Sequence, residues 1–186
     1  MTRRDARRHA FMLVFQLPFR KEFNTETLAS AKKHFYEYLA ETDENIRLRS
    51  KNAAYIDRAV WGVFERQNQI DQVITNFLRE WDIDRICKID LAVMRLAIYE
   101  MLCEPDVTPG VAVNEAVEIA KEYGTDDSQA FVNGVLGNIS RSLPKSDQSI
   151  DFSRTPPKHT KALLDSETFS HMPTNFPESL TEKSNG

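Results

Sequence analysis

The chain has 186 residues, 41% hydrophobic and 28% charged, with a formal net charge of −4. Such a composition suits one folded domain with a sizeable core, and no apolar run is long enough to span a bilayer. The N-terminus has no apolar stretch leading to a small-residue cleavage site, so the reading is a cytoplasmic protein whose two cysteines, Cys87 and Cys103, are reduced core residues.

Residues 3 to 17 read as a first helix. Ala6, Ala10, Leu13 and Leu17 form an apolar stripe, and Arg3, Arg4, Arg7 and Arg8 fall on an arc beside it, continued by Phe11 and Phe15. Pro18 ends the segment. The net charge conceals an asymmetry here: residues 1–21 hold Arg3, Arg4, Arg7, Arg8, Arg20 and Lys21 against Asp5, so this segment is basic and the remainder acidic. The arginine run is either a solvated helix face or a grip on a nucleic-acid strand. If all four met phosphates of a single strand, each would add about 0.7 to the salt slope, or roughly fifty-fold in affinity between 50 and 200 mM salt. Phe11 and Phe15 could stack on bases, but packing against a neighbouring helix is the preferred reading.

A second helix is expected over Thr25–Leu39, burying Leu28, Ala31, Phe35 and Leu39. A long helical region from about Asn45 places Ala53, Ile56, Val60 and Phe64 on one face. It breaks near Asn68 before a further helix reaching Trp81, with Ile70, Val73, Ile74 and Phe77 inside. Cys87–Cys103 is apolar nearly all round, the mark of a central helix. Arg95 and Glu100 interrupt it and are expected to reach hydrogen-bond partners at its rim.

Pro109 suits the first turn of the next helix, with Val113, Ala116, Val117 and Ala120 on its buried face. Gly124 is expected to close that helix at positive φ, and Asp126 to cap the following one in a capping box with Gln129. Ala130, Val132, Val135, Leu136 and Ile139 form the last apolar face. Two helices joined so closely must pack on each other. No alternating strand pattern occurs, so the fold expected is all-α, ending near Arg141. Beyond Ser142 lie five of the eight prolines among Ser, Thr and scattered charge, and residues 142–186 read as a largely disordered tail. Phe152, Phe169 and Phe176 could form a docking motif, but a tail without one is the preferred reading.

No histidine or cysteine cluster has zinc spacing, and there is no glycine-rich phosphate loop or nucleophile elbow. Glu115 and Glu118 form a possible acid–base pair without accompanying groups, so structural or partner-facing roles are preferred. No catalytic residue, metal or cofactor is expected.

Three separated pieces carry a resemblance. They are Arg4-Asp-Ala6-Arg7-Arg8-His-Ala10 followed by Leu13-Val-Phe15-Gln16; Trp81-Asp-Ile-Asp-Arg85-Ile86 followed by Ile89-Asp90 to Tyr99-Glu100; and Val111–Leu136 with Asn114-Glu115-Ala, Ala-Lys121 and Phe131-Val-Asn133-Gly134. In this order the chain resembles the NusB family of bacterial transcription antitermination factors over residues 3–141. The resemblance implies a compact bundle of about seven helices in two subdomains, making residues 1–141 an RNA-binding domain. It also implies boxA RNA of ribosomal RNA leader transcripts and ribosomal protein S10 as partners within the RNA polymerase antitermination complex, with no catalysis, no cofactor and no membrane. A homodimer is left open. The residues expected at the RNA are Arg3, Arg4, Arg7, Arg8, Asp127, Gln129 and Phe131, with Asp127 limiting affinity while helping to choose the sequence. The tail exceeds the family's usual length, and residues 22–67 match only in helical character. A helical adaptor without RNA binding is the alternative. A third reading is the RNA-guiding module of a ribosomal RNA cytosine methyltransferase, which would need a further catalytic domain; the disordered-looking tail leaves no room for one unless this chain is a fragment.

Overall fold

A computed structural model describes residues 2–16, 25–42, 51–78 and 82–143. Among them the chain forms α1 (Arg3–Gln16), α2 (Thr25–Thr42), α3 (Lys51–Glu65), α4 (Gln67–Phe77), α5 (Lys88–Cys103), α6 (Pro109–Tyr123) and α7 (Ser128–Ser142). A single 3₁₀ turn stands at Ile83–Arg85, and there is no strand among the described residues. The all-α class expected from periodicity is what forms.

Helix α5 is the axis of the bundle. Every residue from Asp90 to Met101 is buried, because α1, α3, α4, α6 and α7 all pack on it. A helix with no polar face has no alternative to this position. Each fully buried Leu, Ile, Val or Met side chain contributes about 1.5–3 kcal/mol, and Leu96, Ile98 and Met94 are almost completely enclosed. α1 packs on α3, and α6 on α7. Two groups therefore share α5, α1–α3 on one side and α6–α7 with α4 on the other. No helix among the described residues is long and apolar enough to cross a membrane.

Boundaries differ from expectation in places with identifiable causes. The break between α3 and α4 falls at Arg66 rather than Asn68, where φ −110° and ψ 14° depart from helical geometry. The Arg66 amide still donates to Gly62 O at 3.2 Å, and Ile70 N–H to Arg66 O at 2.9 Å, so the chain bends without losing its ladder. α2 runs three residues beyond Leu39. Leu17, Pro18, Asn45, Trp81, the side chains of Leu28 and Leu39, and the tail from residue 144 lie outside the described residues.

The α6–α7 joint corrects two expectations. Thr108 caps α6 by accepting from Val111 N–H, with Pro109 in the first turn as anticipated. Gly124 is not left-handed, since its φ is −90° and ψ −162°. A glycine is needed there for space. An added Cβ would lie 2.5–2.6 Å from Ser128 Oγ, Ser128 Cβ and Ala120 O. Nor do Asp126 and Gln129 form a capping box. α7 starts at Ser128 with Asp127 as its N-cap, without a side-chain bond. The turn is closed by Ser128, whose Oγ accepts from Thr125 N–H at 2.9 Å and whose N–H donates to Thr125 O at 3.0 Å. A serine hydroxyl competing locally for backbone groups has displaced the expected cap.

Of the two cysteines, Cys103 packs against the core as read and only Cys87 departs from that reading. Cys87 is exposed and Cys103 partly buried, both free. Burial pushes the Cys103 thiol up to about 11.

Candidate nucleic-acid interface

Helix α1 opens with a reciprocal cap. The Thr2 amide and hydroxyl both donate to the Asp5 carboxylate, at 2.8 and 2.7 Å, while Asp5 N–H donates to Thr2 Oγ1 at 3.1 Å. These Thr2 contacts hold the Asp5 carboxyl below its usual range. Ala6, Ala10, Phe11, Leu13 and Val14 are buried. That orientation presses the arginine arc against α3, α5 and α6 and decides what each guanidinium meets.

Arg7 is inside the protein, its side chain 5% exposed. Its Nε lies 2.9–3.0 Å from both oxygens of Glu100, and its Nη1 lies 3.1 Å from Glu115. Glu100, on the central helix, is fully enclosed and also accepts from the Tyr55 hydroxyl at 2.7 Å. Burial works against the Arg7 charge, but Glu100 more than offsets it and holds the guanidinium above its ordinary range. Glu100 is therefore bonded as expected, though at the centre of the bundle rather than at a rim. Arg3 covers the Tyr55 ring at 3.5 Å from its centroid and reaches Glu104 at 3.3 Å. Glu104 also receives Arg58 at 3.2 Å.

Only Arg7 of the four is enclosed; Arg3, 36% exposed, is taken up by Tyr55 and Glu104, whereas Arg4 and Arg8 reach α6. Arg4 is 56% exposed and meets Glu115 at 3.2 Å. Arg8, 34% exposed, directs Nε and Nη2 onto one oxygen of Glu122 at 2.9 and 2.6 Å, with Asp5 at 3.8 Å on its other side. Arg3, Arg4, Arg7, Arg8 and Arg58 thus face Asp5, Glu100, Glu104, Glu115 and Glu122. Within α1 each of the four arginines is matched to a carboxylate, while Arg20 and Lys21 of the basic segment lie outside the described residues.

The second group of anticipated residues stands at the α6–α7 joint. Asp127 and Gln129 are exposed, whereas Phe131 is partly buried against the core. Two residues apart on a helix, Gln129 and Phe131 project about 160° from each other. Gln129 lines a shallow polar groove of about 620 Å³ between α6 and α7, with Asn114, Asp126, Asn133 and Arg141. Arg8, through Glu122, is anchored to the last turn of α6, which leads into this joint. Beneath it Asp90 is buried. Its Oδ1 has no hydrogen-bond partner among the described residues, and burial raises its carboxyl against the opposing effect of Ser128.

An apolar cleft of about 570 Å³ lies between α1 and α2, lined among others by Phe11, Phe15, Phe35, Tyr38 and Tyr123. Phe11 is buried and packs on Tyr123 and Phe15, at 5.3 and 6.2 Å between ring centres, so its packing role is the one realised. Tyr38 is 61% exposed.

Sequence reasoning missed the carboxylates that receive the arginines, Glu104 and Glu122 above all. One signal was present: a charged residue such as Glu100 within an otherwise apolar helix requires a cation from another element. Arg95 follows the same rule, bonding Asp71 of α4 through two contacts of 2.7 Å.

Comparison with known proteins covers this same helical region. The sequence model of the NusB family matches residues 4–141. Transcription antitermination protein NusB of Acetivibrio thermocellus is 40% identical over 139 residues, covering 75% of this chain and 88% of that one. The solved T. maritima NusB superposes with TM-score 0.64 at 35% identity, covering 76% of this chain and 92% of that one. A crystal structure of antitermination factors NusB and NusE in complex with dsRNA gives TM-score 0.61 at 26% identity, over 76% of this chain and 97% of the matched chain. The agreement of family, relative and fold over one continuous region, from the basic first helix to the end of α7, means that the chain belongs to the NusB family.

Proposed function

We propose that this chain is a non-catalytic, cytoplasmic antitermination factor that binds boxA-type RNA of ribosomal leader transcripts jointly with ribosomal protein S10, within the RNA polymerase antitermination complex. The single observation that carries the reading is the match of its helical region to a NusB chain solved with NusE and RNA. In this reading residues 1–141 form the RNA-binding domain and the tail from 142 is separate from it. Arg4 and Arg8 supply the accessible phosphate contacts, Asp127 and Gln129 add base contacts at the joint, and Phe131 offers only its open edge. Arg7, buried, and Arg3, as open as Arg8 but laid over Tyr55 beside Glu104, serve the RNA indirectly, by locking α1 to α3, α5 and α6 so that their neighbours are held in place. The apolar cleft is the face for S10. Tyr123 lines it beside Glu122, so a protein seated there stands next to RNA on Arg8, and two joined contacts raise the effective concentration of each.

Titration of a fluorescent boxA-type RNA with the full chain, with and without S10, tests this. Binding is expected to weaken with salt and to tighten when S10 is added, and Tyr38→Asp is expected to remove the S10 enhancement while leaving binding to RNA alone. A folded chain that retains no RNA in either condition would instead be a protein-binding adaptor.

A further inference from the structure

Arg4 and Arg8, the arginines of α1 that reach α6 at the surface, are not equivalent, because their carboxylates differ in freedom. Glu115, which receives Arg4, is also held by the buried Arg7 at 3.1 Å and is only 15% exposed, so it cannot swing away without breaking the internal clamp. Glu122 projects from the last turn of α6 with its side chain 42% exposed, and its carboxylate is held by Arg8. The guanidinium fork places two N–H donors on one carboxylate oxygen, the same contact it would make to a phosphate oxygen.

We propose that Glu122 is an internal competitor of RNA, occupying the phosphate-binding fork of Arg8 until a backbone phosphate displaces it. The inference rests on the RNA-binding reading above and deepens it. Its consequence is specific. Displacement leaves Glu122 without a cation partner, so it takes up a counterion while the arriving phosphate releases one. Arg8 then strengthens contact with RNA but adds nothing to the salt dependence. Neutralising Glu122 removes the exchange, and Arg8 contributes a full phosphate contact, steepening the salt slope by about 0.7 for a single strand. Pairs exposed to this extent are weak, so the gain in affinity is modest.

The test uses the full chain with S10 and a labelled boxA-type RNA, titrated by fluorescence anisotropy at several salt concentrations. Wild type, Glu122→Gln, Arg8→Ala and the double variant are compared after thermal melts establish that all are folded. Glu122→Gln is expected to bind about two- to fivefold tighter at 50 mM salt, with a salt slope steeper by about 0.7. In the Arg8→Ala background the same change is expected to do nothing. Unchanged or weaker binding by Glu122→Gln overturns the proposal. So does a gain that persists without Arg8, which would make Glu122 merely a repulsive charge. If no variant binds RNA, with or without S10, the RNA-binding reading itself fails and this proposal falls with it; binding by wild type with no effect of Glu122→Gln removes the competitor alone.

Discussion

Arg7 and Glu100 show why a charged pair at the heart of a bundle is costly to break. Each charge is out of water and relies on the other, with Tyr55 and Glu115 completing the set. Replacing Glu100 by Gln preserves the shape and an acceptor for Tyr55 but leaves the buried guanidinium short of its main counter-charge. The expected loss is about 3–5 kcal/mol of unfolding free energy, read from urea unfolding; a loss under about 1 kcal/mol would mean that Glu115 alone satisfies Arg7. Asp90 presents the opposite case. Burial raises its carboxyl, so the folded state holds the proton more tightly than the unfolded chain. Stability therefore falls as pH rises from the ordinary aspartate range through the raised folded value, and the penalty persists at neutral pH. Asp90→Asn, which carries no such charge, is expected to be the more stable protein at pH 7, the advantage shrinking as the medium is acidified. Melting curves at pH 4 and pH 7 check this, and an advantage independent of pH would point to packing instead.

At the scale of elements, contact between helices depends on where side chains are missing. Gly62 lies on α3 where that helix crosses α5, and an added Cβ would collide with the ring of Tyr99, itself buried. Alanine is intrinsically better in a helix than glycine by about 1 kcal/mol, yet here overpacking should prevail, costing about 1–3 kcal/mol. Gly62→Ala is accordingly expected to lower the melting temperature, and the cost should shrink in a Tyr99→Leu background where the ring is gone. A stabilised Gly62→Ala protein would show that Tyr99 can move aside. The same spatial logic holds at Gly124, where the first residue of α7 fills the space a side chain would need. Helix existence and most packing faces were readable from periodicity because burial repeats at a fixed angular interval, though Ala130, placed on the buried face of α7, is exposed. The exact cap of α7 was not, because Asp126, Asp127 and Ser128 are all competent near a helix start and only the closed turn selects among them.

For the whole molecule the main quantity is charge in place. A sequence segment with four arginines near its start suggests a cationic strip, but a field is set by three-dimensional neighbours. Glu100 and Glu104 come from α5 or its end, and Glu115 and Glu122 from α6, all far along the chain from the residues they neutralise. Arg7 becomes an internal strut, while Arg3, Arg4 and Arg8 stay partly open to solvent, each already paired with a carboxylate. The folded face of α1 is consequently a set of ion pairs already made once within the protein, beside an apolar cleft.

The sequence by itself determined the helical class, the central place of α5, the pairing of α6 with α7 and the family. Each follows from the spacing of apolar residues and from motifs contiguous in the chain, and local spacing survives folding unchanged. Only the tertiary structure decided which arginines face solvent, that Glu122 holds Arg8, and that Gln129 and Phe131 point to different sides of α7. Those facts depend on how whole helices rotate and cross, which is settled by the joint packing of many side chains rather than by any one segment.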